Sequence, residues 1–149
     1  MSHHLLLIFH LLGACIWVGG HLVLSLGILP EVLRKKDPEI LLDFESKYEK
    51  IGMPALLIMV ITGIWMSYQF GVTWSNWFHF ENPLETAISL KLLFLFVTVL
   101  FALSANLFVI PKLSAKTLPL MAFHIITVTL LGVGFLLVGT FIRYGGISI

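Results

Sequence analysis

Charged residues are scarce in this chain, at 11% of 149 residues against about 25% in soluble domains. Because 58% of the residues are hydrophobic, the chain cannot cover a soluble globule with polar surface. The net charge of +1 comes from 9 lysine and arginine residues against 8 aspartate and glutamate residues, and so small an excess argues against a nucleic-acid partner. Cys15 is the single cysteine, which excludes an internal disulfide and cysteine-rich zinc or iron–sulfur sites. The class that remains is a membrane protein embedded in a lipid bilayer.

Four apolar runs are each long enough to cross a bilayer, which takes about 20 helical residues. They cover approximately residues 5–29, 51–70, 87–110 and 118–142. We therefore predict an all-α fold, a single integral membrane four-helix bundle over residues 1–149. The first run has no positively charged region before it, so we read it as a retained helix rather than a signal peptide. Mixed charges at helical spacing predict that the segment 38–50 is a short cytoplasmic helix at the membrane interface.

The basic residues outside the apolar runs lie mostly on one side. Seven of them fall in the connections between helices 1 and 2 and between helices 3 and 4: Arg34, Lys35, Lys36, Lys47, Lys50, Lys112 and Lys116. The opposite side has Arg143 alone. The positive-inside rule then places both connections in the cytoplasm and both termini on the outer, periplasmic side. We expect the protein in a bacterial inner membrane.

Two histidines, His10 and His21, interrupt the first apolar run, "FHLLGACIWVGGHLVL", residues 9–24. On an α-helix the step of 11 residues leaves them roughly 20° apart in azimuth and roughly 16 Å apart along the axis. They share one face at two depths. The neighbours on that face, Gly13, Trp17 and Gly20, include small residues that can open a slot for a flat ligand.

Titratable residues in the other runs match these two depths. Lys91, near the outer end of helix 3, falls at the level of His10, about 10 Å from the midplane. His124, near the inner end of helix 4, falls within about one turn of the level of His21. Such groups are costly in hydrocarbon and usually serve a function inside a bundle, although Lys91 could also extend its ammonium to the outer interface.

Haem fits this pattern, because its iron takes axial imidazoles and its ring needs an apolar slot between helices. A single metal ion cannot use both His10 and His21, but two stacked sites can. We predict one haem b on the cytoplasmic half, held by His21 and His124, which requires helices 1 and 4 to be neighbours. A second haem b on the outer half would use His10, with Lys91 or an unidentified group opposite, and the haem count of one or two stays open.

Three segments resemble a known family: "HLLGACIWVGGHLVL", "FESKYEKIGMPALLIMVITGIW" and "LKLLFLF". They are similar to the CopD-type copper-resistance membrane proteins and to the related HemJ-type protoporphyrinogen oxidases, over about the first two-thirds of the chain. The family's histidine, tryptophan and glycine of helix 1 match His10, Trp17 and Gly20, and the lysine that opens helix 3 matches Lys91. The resemblance implies a b-type haem and functional roles for His10 and Lys91. The later histidine of the HemJ-type pattern falls at Ala102 here.

The expected function is therefore that of a membrane b-type cytochrome, a haem-dependent oxidoreductase that transfers electrons across or within the membrane. Its partners would be a redox protein or a quinone, and iron ligands contributed across a homodimer interface stay open. One alternative is a copper transport or tolerance protein that uses His10, His21 and the outer histidines. The resemblance supplies another, a HemJ-like protoporphyrinogen oxidase using His10 and Lys91. A structural subunit, whose histidines only bridge helices, is the last.

Overall fold

The computed structural model describes residues 2–148, and within them the chain forms four long helices and no β-strand. Helix α1 spans His3–Lys35, α2 spans Pro38–Gln69, α3 spans Pro83–Lys112 and α4 spans Leu118–Arg143. Each is long and apolar enough to cross a membrane. The predicted all-α architecture with four membrane-spanning helices is confirmed.

The starts of α2 and α3 follow the same local rule. The Asp37 side chain accepts from the Glu39 backbone N–H, and the Asn82 side chain accepts from the Leu84 and Glu85 backbone N–H groups. A proline follows each capping residue, where its missing N–H costs no helical hydrogen bond. The capped starts lie several residues before the apolar runs, so both helices are longer than hydrophobicity alone indicates.

Residues 38–50 do not form a separate helix; they are the first part of α2. The charged segment continues into the apolar run without a break in the helix. The exposed Pro54 lies inside α2 without ending it. The connection between α1 and α2, predicted to be cytoplasmic, is reduced to a tight turn in which Lys36 takes a left-handed conformation, at φ 53°.

Two of the helices contain π-helical segments on the predicted cytoplasmic half. Val23–Ile28 interrupts α1 directly after Leu22, and Ala105–Val109 interrupts α3 directly after Ser104. Such segments in α-helices are rare and occur often beside functional sites. In this chain the π-helical segment of α1 begins two residues after His21. The segment of α3 begins directly after Ser104, whose side chain contacts His124.

Packing joins the helices in the order α2–α1–α4–α3. Helix α1 packs most extensively against α2 and also against α4, and α3 packs against α4, whereas α2 and α3 share no extensive contact. The neighbourhood of helices 1 and 4 that a shared iron requires is therefore confirmed. A middle core cluster contains Ala14, Trp17, Val18, Ala55, Met59 and Val128. The inner core cluster contains Leu24, Leu29, Val32, Leu41, Val109, Leu118, Met121, Ala122 and Ile125.

Candidate functional site

His10 lies at the contact between α1 and α2 in the predicted outer half. Its Nδ1 is 3.0 Å from the Thr62 hydroxyl oxygen, and that hydroxyl donates to the Ile58 carbonyl at 2.6 Å. Because the Thr62 proton points to Ile58, the hydroxyl oxygen accepts from His10, and Nδ1 carries the proton. The ring lies against Gly63, where an added Cβ would be 3.1 Å from the Cε1 of His10.

His21 is half-buried, and its Nδ1 is 2.9 Å from the carbonyl oxygen of Trp17, one turn earlier on the same helix. A carbonyl can only accept, so Nδ1 of His21 also carries the proton. The Tyr48 hydroxyl of α2 donates to the same carbonyl at 2.7 Å and lies 3.3 Å from His21 Nδ1. The imidazole is enclosed by the Trp17 ring, with centroids 4.5 Å apart, and by the edge-on Tyr48 ring at 5.6 Å.

His124 is buried between α4 and α3. Its Nδ1 is 2.9 Å from the Leu120 carbonyl oxygen, and its Nε2 is 3.0 Å from the Ser104 hydroxyl oxygen. The carbonyl again requires the proton on Nδ1, so Nε2 accepts from the Ser104 hydroxyl. The ring of Phe101, also on α3, lies 5.2 Å away, centroid to centroid.

The three intramembrane histidines thus share one tautomer. In each, an oxygen acceptor holds the proton on Nδ1. The Nε2 lone pair is then available to an acid or a metal in His10 and His21, whereas in His124 it accepts from the Ser104 hydroxyl. A histidine that binds iron is usually held in this way, with its second nitrogen donating to a carbonyl, a hydroxyl or a carboxylate. His10 and His21 thus have the tautomer that an Nε2 metal ligand needs, whereas at His124 the Ser104 hydroxyl would compete for Nε2.

The structure does not show His21 and His124 facing the same neighbours. The Thr129 hydroxyl of α4 donates to the His21 carbonyl at 3.2 Å, so this level of α4 faces α1. His124 lies five residues before Thr129, which corresponds to about 7.5 Å along the helix and about 140° around it. His21 is enclosed by residues of α1 and α2, whereas His124 contacts α3. Within residues 2–148, no group of three or more histidine, cysteine, aspartate or glutamate side chains could hold a metal ion.

Lys91 lies half-buried on α3, and its Nζ is 3.4 Å from the position that a Cβ on Gly139 of α4 would take. Its side chain packs on α4, whereas His10 lies at the contact between α1 and α2. Both residues lie in the first third of their helices, and the expectation that they share one functional region stays a prediction. The absence of a side chain on Gly139 leaves room for the ammonium.

The small residues of α1 lie against neighbouring side chains of α2. An added Cβ on Gly13 would be 2.8 Å from Met59 and 2.9 Å from the Ala55 carbonyl oxygen. A Cβ on Gly20 would overlap the Tyr48 ring. Both glycines thus permit close packing of α1 on α2, and the expected slot beside Gly20 is filled by Tyr48.

Trp17 is buried and begins a row of aromatic rings that crosses the bundle. Its ring lies 6.4 Å from that of Phe135 on α4, and Phe135 lies 5.8 Å from Phe94 on α3. Near this row, the Thr98 hydroxyl is buried and has no hydrogen-bond partner among the residues that the structure describes. A buried unpaired hydroxyl costs free energy, so it marks a polar position that a ligand or water could satisfy.

Three residues that hold the histidines were not identified from the sequence: Thr62, Tyr48 and Ser104. Thr62 and Ser104 are polar residues in apolar runs, a signal that could have identified them. Tyr48 gives no such signal, because it lies in a charged segment that we expected outside the bundle.

Searches against protein-family models, curated proteins and solved structures found no match to this chain.

Proposed function

We propose that this protein is an integral membrane b-type cytochrome that holds haem b through His10, His21 and His124 and transfers electrons across or within the membrane. The observation that carries the proposal is the common tautomer of the three histidines, which leaves the Nε2 lone pair available in His10 and His21, while Nε2 of His124 is paired with the Ser104 hydroxyl. Haem iron bound by imidazole supplies a one-electron redox couple within the hydrocarbon.

Each histidine has a positioning partner in this proposal. Thr62 holds His10 from α2, and the Trp17 carbonyl, shared with Tyr48, orients His21. His124 must exchange the Ser104 hydroxyl for iron, and the π-helical segment that begins after Ser104 is a place where α3 can adjust. On the outer half, the Lys91 ammonium adds a positive charge near His10, which favours the reduced form of a nearby redox centre and attracts anionic groups.

The proposal includes an orientation and a location. The basic connections at Lys36 and at Lys112–Lys116 would face the cytoplasm, and both termini would face the periplasm of a bacterial inner membrane. The asymmetry of basic residues supports this orientation. The electron partner would be a quinone or a membrane-bound redox protein, because the histidine positions lie inside the apolar spans.

The test is the visible spectrum of the purified protein, with haem counted as its pyridine haemochrome. We expect a reduced b-type spectrum with one or two haems per chain. His21 and His124 face different helices in this structure, so a haem shared by both requires one of the rings to turn; if they share it, His21→Ala and His124→Ala each remove the same haem, and His10→Ala affects a different one. His79→Ala, an exposed histidine in the outer loop, is the matched control and should keep the full haem content. Unchanged haem content and an unchanged low-spin spectrum in all three intramembrane variants would refute the proposal.

The two alternatives give different results in the same preparation. Bound copper without haem would indicate the copper transport or tolerance function, for which His3 and His4, with rings 6.5 Å apart on the outer side, offer additional imidazoles. Oxidation of protoporphyrinogen that requires both His10 and Lys91 would indicate the porphyrinogen oxidase function.

A further inference from the structure

Helix α3 is the least packed of the four spans. In its most apolar stretch 11% of the residues are buried, against 28% or more in each of the other three helices. One stripe of α3 is exposed along its length, and it contains Phe96, Leu100, Leu103 and Leu107. Lipid can cover apolar side chains of this kind, so the stripe alone does not require a protein partner.

Asn106 is different, because it is a polar side chain exposed on the edge of the same stripe. It lies four residues before Ile110, where the apolar run of α3 ends, so about 6 Å of helix separates it from the end of that run. An amide at this position is therefore inside the apolar layer. A polar group that faces lipid at this depth is costly unless it forms hydrogen bonds.

The hydrogen bonds of Asn106 are only partly used within its own chain. Its Nδ2 donates one proton to the Ala102 carbonyl oxygen at 3.0 Å. An asparagine amide has a second proton on Nδ2 and an acceptor, Oδ1. What is left is one donor and one acceptor on the same group, facing outward.

We propose that α3 forms a parallel homodimer with α3 of a second copy, through reciprocal hydrogen bonds between the two Asn106 side chains. A two-fold axis along the membrane normal brings identical residues together at the same depth. The second Nδ2 proton of each amide then donates to Oδ1 of the other, so both amides become fully paired without losing the bond to Ala102. The small side chain of Ala102, exposed one turn earlier, lets the two helices approach closely at this level.

The occupant is a second copy rather than a different protein because the remaining donor and acceptor are self-complementary. The two-fold pair also places the exposed Leu103 side chains near the axis and leaves the α1–α2 side of the bundle outside the interface. This arrangement requires no haem and is independent of the proposed electron transfer.

The test measures the monomer–dimer equilibrium in liposomes at a series of protein-to-lipid ratios, by single-molecule photobleaching of labelled protein. We expect the wild-type chain to dimerise and Asn106→Leu to weaken dimerisation by about one to two orders of magnitude, since hydrogen bonds between membrane helices are each modest. Thr140→Val is the matched control, because Thr140 is exposed on α4 and its hydroxyl bonds only to the Leu137 carbonyl of its own helix. This control should dimerise like the wild-type chain.

Cross-linking provides a measurement that does not depend on removing Asn106. In a Cys15→Ser background, Leu103→Cys should form an intermolecular disulfide on oxidation, and Leu130→Cys, exposed on α4, should not. The proposal is refuted if the wild-type chain stays monomeric at every ratio, if Asn106→Leu dimerises as well as the wild type, or if both cysteine variants cross-link equally.

Discussion

Replacing Gly20 with alanine should destabilise the protein, because the Tyr48 ring occupies the space that a Cβ would take. The Tyr48 hydroxyl oxygen would lie 2.6 Å from the new atom, and two ring carbons would overlap it. The ring cannot simply move away. It is stacked on Phe44 at 5.5 Å, and it lies against Gly52, where a Cβ would be 2.8 Å from its Cζ.

The magnitude follows from two opposing effects. Overpacking a filled site costs about 1–3 kcal/mol, and a displaced Tyr48 also loses its hydrogen bond to the Trp17 carbonyl, worth about 0.5–1.5 kcal/mol. Alanine recovers up to about 1 kcal/mol of helix propensity relative to glycine. We expect a net loss of about 0.5–3.5 kcal/mol in the free energy of unfolding.

The measurement is reversible unfolding in mixed micelles with increasing fractions of sodium dodecyl sulfate, followed by tryptophan fluorescence. Gly19→Ala is the matched control on the same helix, because a Cβ on Gly19 would meet nothing within 4 Å. That variant should be as stable as the wild type or more stable. In a Tyr48→Ala background, Gly20→Ala should no longer cost stability, because the overlapping ring is gone.

Comparing these variants isolates the contact between a Cβ at position 20 and the Tyr48 ring. If Gly20→Ala loses as much stability in the Tyr48→Ala background as in the wild type, the loss does not come from the Tyr48 ring. If Gly19→Ala loses as much as Gly20→Ala, the effect belongs to glycine in this helix in general. Either result would refute the reasoning.

Three further predictions test other parts of the molecule. A reporter that is active only outside the cytoplasm should be active when it is fused to the C-terminus. If a reporter that is active only in the cytoplasm works there instead, the orientation is the opposite of the predicted one. Lys91→Met keeps much of the stem and removes the charge, so the midpoint potential of the outer redox centre should fall; unchanged potential, haem content and turnover would leave Lys91 as an interfacial anchor. Ser104→Ala removes the hydroxyl that competes for Nε2 of His124, so haem content should be kept or raised, and a loss equal to that of His124→Ala would contradict the competition.

The number of helices and their membrane character could be predicted from the sequence because hydrophobicity sums over about 20 residues in each run. The ends could not be predicted as well. Helix α1 continues to Lys35 and α2 begins at Pro38, outside the apolar runs, because helix-favouring residues and the Asp37 cap extend them. The short charged segment 38–50 has the composition of an interfacial helix. Only its unbroken continuation into α2 distinguishes it from a separate helix at the membrane interface.

The sequence determines the depth of a side chain along its helix better than it determines how that helix is rotated against its neighbours. Depth follows from counting residues at a fixed rise, which places Lys91 eight residues into α3 and His10 seven residues into α1. The direction in which a side chain points depends on how each helix is rotated against its neighbours, and that rotation is decided by contacts such as Tyr48 filling the space at Gly20.

The same contacts determine the chemistry of the histidines. A neutral histidine side chain has two tautomers, which the sequence does not distinguish. The choice between them depends on the atom that faces each ring nitrogen. For His21 and His124 that atom is a carbonyl oxygen one turn earlier, which a helix supplies wherever the side chain turns back along its own axis. For His10 it is a hydroxyl from another helix, which exists only after α1 and α2 have packed. The imidazoles of His21 and His124 are therefore oriented by their own helices, whereas that of His10 is oriented only in the folded protein. Substituting Thr62 should disturb His10 without affecting His21 or His124.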